Sequence, residues 1–256
     1  NPISCISMSS LGKNIHCDYD EFGPIEVYDD GEKRVMTFGG QEEQSAMLKA
    51  KPGQLQHEYT RAMMLVMLFR QPRDAIVLGL GGGSLVSCLH HCWPDIKIRA
   101  VELRPKVARV AYKYFQLPRS KRLQVFEMDA GEFLDEQPKK TDVLFTDIYS
   151  AEGLDQQQVQ QWYMQACFDT LKDDGWLVLN CWSEHRAGTD VLDILKEIFS
   201  DVRMCSTNTG NWVVLAGKKL DTQSGKQLKD KAKQLSTVLD YSLSACLTRL
   251  KTIHPN

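Results

Sequence analysis

The chain has 256 residues, 43% of them hydrophobic and 25% charged, with a net charge of −2 from interspersed signs. That length suits one large α/β domain with a small appendage, and the charge balance gives no reason to expect nucleic acid or an anionic membrane as a partner. No apolar run approaches the roughly 20 residues that span a bilayer.

The first ten residues, Asn1 to Ser10, have neither the basic flank nor the apolar core of a signal peptide, although the missing initiator Met leaves a removed leader open. Eight cysteines form no CxxC pair, and several lie in apolar patterns where a free thiol acts as a small hydrophobe, so a reducing cytoplasm is expected. Residues 24–40 alternate apolar and polar around Asp29, Asp30 and Gly31, which is a hairpin signal, and predict a small N-terminal β-hairpin domain over 1–53. From Leu55 to Phe69 the apolar residues recur at helical spacing until Gln71 and Pro72 end the helix.

Regular alternation follows over 54–220. Strands are predicted at 75–79, 97–102, 123–127, 142–147, 176–181, 201–206 and 212–216, with helices at 84–92, 105–115, 155–171 and 189–199. Repeated βα units build a mainly parallel sheet covered on both faces. The last two strands are joined by 207–211, too short for a helical crossover, and must pair antiparallel. This α/β pattern, seven strands with a terminal antiparallel hairpin after a small β domain, resembles the class I methyltransferase-like variant of the Rossmann-like fold. After the polar break at 221–225, Leu228, Ala232, Leu235, Leu239, Leu243, Cys246 and Leu250 form an apolar stripe, predicting a C-terminal helix over 221–256. That helix either docks on the body or makes a homodimer.

The segment from Ala75 to Ser84 joins an apolar strand to a helix through Gly79, Gly81, Gly82 and Gly83, and the next strand ends in Glu102. Glycines let the backbone turn tightly and approach a ligand, the helix start offers free amides, and the acid can take both hydroxyls of a ribose. A nucleoside site is expected there. Cys88 and Cys92 share a face of that helix beside His90 and His91, but a zinc site needs four ligands and no second pair lies near, so packed thiols and no metal are expected.

With this turn, Glu102, Met128 to Ala130, Asp147 and the run from Leu171 to Gly175, residues 22–217 resemble the spermidine synthases, the polyamine aminopropyltransferases. The resemblance implies that Gly79, Gly81, Gly82, Glu102, Leu103, Asp129 and Ala130 hold S-adenosylmethionine or its decarboxylated form, with Gln44 reaching the nucleoside from the β domain. It implies Asp147 as the catalytic base and a small amine as acceptor. The family's strand-four motif, Asp-Ser-(Ser/Thr)-Asp-Pro, is here Asp147-Ile-Tyr-Ser-Ala151, so its second Asp is Ser150. The Asp of the family's turn, which grips the aminopropyl amine, falls on Gly82.

A diamine substrate is protonated at neutral pH, with a pKa near the lysine value of about 10.4, so each ammonium wants a carboxylate. Losing a buried charged partner commonly costs about 3–5 kcal/mol. The missing acids therefore favour the intact donor and methyl transfer to a non-polyamine acceptor, while the resemblance favours aminopropyl transfer. A non-catalytic nucleoside-binding homologue is the third possibility, since a fold does not guarantee activity. A nicotinamide dehydrogenase fits poorly, because its third fingerprint glycine falls on Ser84. Tyr149 and Tyr59 are candidates to hold the acceptor cation over a ring face. Trp162 and Tyr163 are read as packing residues of the following helix.

Overall fold

The computed structural model describes residues 8–147, 156–182 and 190–253. The N-terminal part is a five-stranded antiparallel sheet in chain order, β1 (Met8–Ser9), β2 (Gly12–Asp20), β3 (Gly23–Asp29), β4 (Lys33–Thr37) and β5 (Ser45–Leu48). The expected hairpin is the β3–β4 pair. Its turn is tightened by Asp29, which accepts from the Gly31 N–H, and by Asp30, which accepts from those of Glu32 and Lys33. The sheet is larger than its sequence pattern suggests because β2 is polar along most of its length and carries little alternation.

The second sheet has eight strands, in the order β13-β11-β12-β10-β9-β6-β7-β8. Its elements in chain order are α1 (Glu58–Met63), β6 (Asp74–Leu78), α2 (Ser84–Cys92), β7 (Lys97–Glu102), α3 (Pro105–Tyr114), β8 (Leu123–Glu127), α4 (Ala130–Asp135), β9 (Thr141–Thr146), α5 (Gln156–Thr170), β10 (Leu171–Trp182), α6 (Asp190–Ile198), β11 (Asp201–Ser206), β12 (Asn211–Gly217), α7 (Gly225–Leu239), α8 (Ser244–Arg249) and β13 (Leu250–Thr252). Strands β6 to β10 run parallel, and β12 is antiparallel to both β10 and β11. All seven expected strands form, and β13 adds an eighth at the edge.

Both faces of this sheet are buried, which explains its unbroken apolar strands. Ala75 and Val77 of β6 face a core shared with α2, α7 and the segment after α1, while Ile76 and Leu78 face the core shared with α4, α5 and α6. Helix α3 joins the two sheets. Its Val107 and Val110, with Phe115, pack on Ile25, Val27, Met36 and Met47 of the N-terminal sheet, each such side chain contributing roughly 1.5–3 kcal/mol on burial.

Two helices differ from expectation. The predicted helix over Leu55–Phe69 is α1 followed by a 3-10 stretch, Met64–Leu68; all five of its residues are buried, so no solvent-facing side holds them to the α period. The predicted C-terminal helix breaks at Asp240, which adopts a left-handed conformation (φ 61) and takes hydrogen bonds from Lys51 and Gln54. Helix α7 opens with a capping box of Ser224 and Gln227, a device that contributes about 1 kcal/mol. The stripe from Leu228 to Cys246 is buried against the body, and the chain then returns to the sheet as β13. Among the described residues no helix is long and apolar enough to cross a membrane.

Candidate active site

Strand β6 is central, with β7 and β8 added on one side and β9 and β10 on the other, so the order in which strands are added reverses between β6 and β9. Ligands of open α/β sheets bind outside the carboxyl ends of the strands at such a point. A cleft of about 220 Å³ lies there, lined by residues that follow β6, β7 and β9 together with Phe38, Gln44, Ser45, His57 and Tyr59.

One half of the cleft is built on the glycine turn. Gly79, at φ 92, leaves β6 in a conformation that L side chains avoid, and its N–H stays bonded to the Val101 carbonyl of β7. Glu102 ends β7 with both carboxylate oxygens occupied: Oε1 accepts from the Gly81 N–H at 3.1 Å and Oε2 from the Arg104 N–H at 2.9 Å. Burial pushes the Glu102 carboxyl up, against the pull of these amides. Leu103 beside it lines the cleft and is exposed, offering an apolar surface.

Gly82 lies under the turn rather than in the cleft lining. Its N–H donates to Ser45 Oγ at 2.8 Å, and a Cβ added there would stand 2.6 Å from Ser45 Cβ. Ser45 thus fills the space where the resemblance places a carboxylate. Asp129 and Ala130 are outside the cleft lining as well; Asp129 is exposed and caps α4 through Oδ2, which accepts from the Glu132 N–H at 3.0 Å. They remain beside Glu102, because the Met128 N–H bonds to the Glu102 carbonyl.

The other half centres on Asp147. It continues β9, with its N–H on the Leu78 carbonyl, and its Oδ1 accepts from Asn180 Nδ2 at 2.6 Å while Oδ2 accepts from the Tyr59 hydroxyl at 3.3 Å. Asn180 is held in turn by Asn211, whose Nδ2 donates to its Oδ1 at 3.1 Å. Burial pushes the Asp147 carboxyl up to about 6, although Asn180, Tyr59 and the charge of His57 favour its ionised form. Burial and the Asp147 charge raise the Tyr59 phenol well above its usual range, so Tyr59 stays a donor. His57 lines the same cleft and pairs with Glu43, Nε2 to Oε2 at 2.8 Å.

The structure therefore gathers Gln44, Tyr59, Gly79, Gly81, Glu102, Leu103 and Asp147 around one cleft. Tyr149 and Ser150 lie outside the described residues. Tyr163 donates or accepts a 2.7 Å hydrogen bond with Thr146 Oγ1 in the core, but Trp162 is 45% exposed and lies beside Gly131, because its position on α5 faces solvent rather than the sheet. His57, Glu43, Ser45 and Asn180 were not singled out in the sequence. For Asn180 a signal existed, a lone amide in the apolar run from Trp176 to Trp182, since a buried polar group needs a partner.

Comparisons with known proteins bear on the family and the fold. Residues 56–214 match the model of the spermine/spermidine synthase domain. The chain is 27% identical over 241 residues to the polyamine aminopropyltransferase of Neisseria meningitidis serogroup A, covering 92% of each chain. The crystal structure of spermidine synthase from Thermotoga maritima superposes with a TM-score of 0.70 at 18% identity, covering 95% of this chain and 85% of that one. Human Methyltransferase-like protein 13 in complex with SAH gives a TM-score of 0.65 at 24% identity, over 72% of this chain and 93% of that one.

Proposed function

The chain belongs to the spermine/spermidine synthase family, and from that membership we propose that it moves an alkyl group from a sulfonium nucleoside to an amine. The observation that carries this reading is Asp147, a carboxyl drawn up to about 6 at a strand end that shares one cleft with the glycine turn and Glu102. Glu102, its two oxygens fixed by backbone amides, is oriented for a ribose, with Leu103 against the base. The relative bound to SAH supports a nucleoside of this kind. Asp147 holds the amine and accepts or orients its proton. The amine nitrogen then attacks the carbon next to the sulfonium in line, and the C–S electron pair leaves on sulfur, so catalysis rests mainly on positioning.

Within this reading one feature favours the intact donor and methyl transfer. The free amine of a decarboxylated donor is a cation that wants a carboxylate beside the turn, and Ser45 leaves no room for a side chain at Gly82. The intact donor carries its own carboxylate beside its ammonium, and no acid at Gly82 repels that carboxylate. Calorimetric titration with S-adenosylmethionine, decarboxylated S-adenosylmethionine and methylthioadenosine, followed by mass spectrometry of small amines incubated with the better-bound donor, tests both steps. Preference for the intact donor with a mass gain of one methyl group supports methyl transfer, and preference for the decarboxylated donor supports aminopropyl transfer. Binding with no product from any amine makes the chain a nucleoside-binding homologue, and no binding refutes the proposal.

A further inference from the structure

Three features make His57 more than a member of the cleft wall. Its backbone is fixed, because its carbonyl accepts from the Arg61 N–H and from Thr60 Oγ1 at the start of α1. Helix α1 is itself anchored through Glu58, which takes Arg249 Nη1 at 2.7 Å and the Asn208 N–H. Its ring is fixed by Glu43, which also carries Lys33 Nζ at 3.2 Å. The ring lies 5.7 Å from that of Tyr59, whose hydroxyl is bonded to Asp147.

A carboxylate on one imidazole nitrogen decides the tautomer, with N–H toward the acid and a lone pair on the opposite nitrogen. With Glu43 on Nε2, neutral His57 keeps its lone pair on Nδ1. Resting on the transfer reading above, we propose that His57, oriented by Glu43, is a second proton acceptor of the site, taking to solvent the proton that the amine loses while Asp147 holds the charge.

The division of labour follows from charge. An amine enters as an ammonium and must lose one proton before its nitrogen has a lone pair for attack. Were Asp147 to keep that proton, it would lose the charge that holds the amine. With His57 as acceptor, one N–H bond of the amine breaks, a bond forms at Nδ1, and Asp147 stays ionised. The nitrogen lone pair then forms the new C–N bond, the C–S pair neutralises the sulfonium, and the product keeps its positive charge on nitrogen. The imidazolium left beside Glu43 returns its proton to water. The charged groups around the ring are Glu43 with Lys33 from the N-terminal sheet, Glu58 with Arg249 at α1, Asp147 after β9, and Glu102 and Arg104 after β7.

The test is chemical rescue on the full chain. The amine and donor are the pair that the wild type turns over best, starting from putrescine with each donor. H57A is expected to bind donor as the wild type does and to lose about 10²-fold in kcat near neutral pH, with added imidazole restoring at least tenfold. H57Q should show a rate that climbs with pH where the wild type has levelled off, and E43Q should give a smaller loss with the same change of profile. H57A turning over with the wild-type pH profile and no response to imidazole overturns the inference while leaving alkyl transfer standing. A loss that imidazole does not repair, with kcat falling equally at every pH, overturns it in favour of a structural role. A wild type that transfers nothing fails at the earlier reading, and this inference falls with it.

Discussion

Substituting Gly82 by alanine puts one methyl group into occupied space, and the size of the effect can be worked from the contacts. The new Cβ would lie 2.6 Å from Ser45 Cβ, 2.9 Å from Ser45 Oγ and 3.3 Å from Phe115 Cδ1. Gly82 does not have a left-handed φ, so the substitution carries no dihedral strain and reports space alone. Overpacking of this kind costs about 1–3 kcal/mol, and displacing Ser45 forfeits the Gly82–Ser45 hydrogen bond, worth about 1 kcal/mol net. G82A should therefore lose about 2–4 kcal/mol in urea unfolding. S45G alone should lose about 1–3 kcal/mol by stranding the buried Gly82 N–H. In S45G/G82A the methyl enters the vacated space, so the double variant should be more stable than the sum by about 1–3 kcal/mol. Additivity within about 0.5 kcal/mol would mean that the two residues do not share one space and would remove the physical basis for the donor preference. S45G/G82D should then raise the affinity for decarboxylated over intact donor at least tenfold by calorimetry, since it returns a carboxylate to the turn.

Other substitutions test the remaining parts of the site. D147N should abolish turnover yet stabilise the fold at neutral pH. The folded Asp147 carboxyl is raised from 3.8 to about 6, so its contribution is fully present below pH 4 and lost as pH rises through 6, a difference of at most about 3 kcal/mol that comparison of urea unfolding at pH 4 and 7.5 would detect. The same titration predicts a transfer rate that declines as pH falls below about 6, and a flat profile between pH 5 and 7 would refute Asp147 as the group that must be ionised. Y59F removes a donor from Asp147, so the acid limb should move to higher pH while nucleoside affinity holds; equal loss of both would place Tyr59 in the scaffold alone. R104M takes from Asp20 two hydrogen bonds from the guanidinium at 2.8 and 2.9 Å, and should cost about 1–3 kcal/mol in urea unfolding.

The central sheet was legible because its strands are buried on both faces and separated by helices of one amphipathic period, so that each apolar run between Ala75 and Ala216 has a single reading. The short 207–211 connection alone determines that β11 and β12 are antiparallel. Less legible were elements whose conformation depends on distant partners. The break at Asp240 is stabilised by Lys51 and Gln54, nearly two hundred positions away in sequence, and β13 exists only because β11 presents a free edge. In the site, Glu102, Asp147 and the glycines carried local signals, a strand end or a turn. His57 and Glu43 carried none: a His before a helix is common, and only the tertiary contact at 2.8 Å brings the two together.

Three consecutive residues of the N-terminal sheet explain why this small domain belongs to the site. Glu43 orients His57 on the acceptor side, Gln44 lines the cleft, and Ser45 fills the space beside Gly82 on the donor side. Strand β5 begins at Ser45 and pairs with β4 through Met36 and Ser45, so a shift of register by one residue would move all three at once and turn Ser45 away from the glycine turn. The register is held from both ends. Arg104, two residues after Glu102, clamps Asp20 and the Gly23 carbonyl, while Val107 and Val110 of α3 are buried against β3 and β4. On the proposed transfer reading, the choice of donor and the handling of the amine proton are linked to how firmly the first sheet is seated on α3. A core substitution such as V27A, far from either half of the cleft, should weaken both together, whereas S45G/G82D should alter donor choice and leave the pH profile of transfer unchanged.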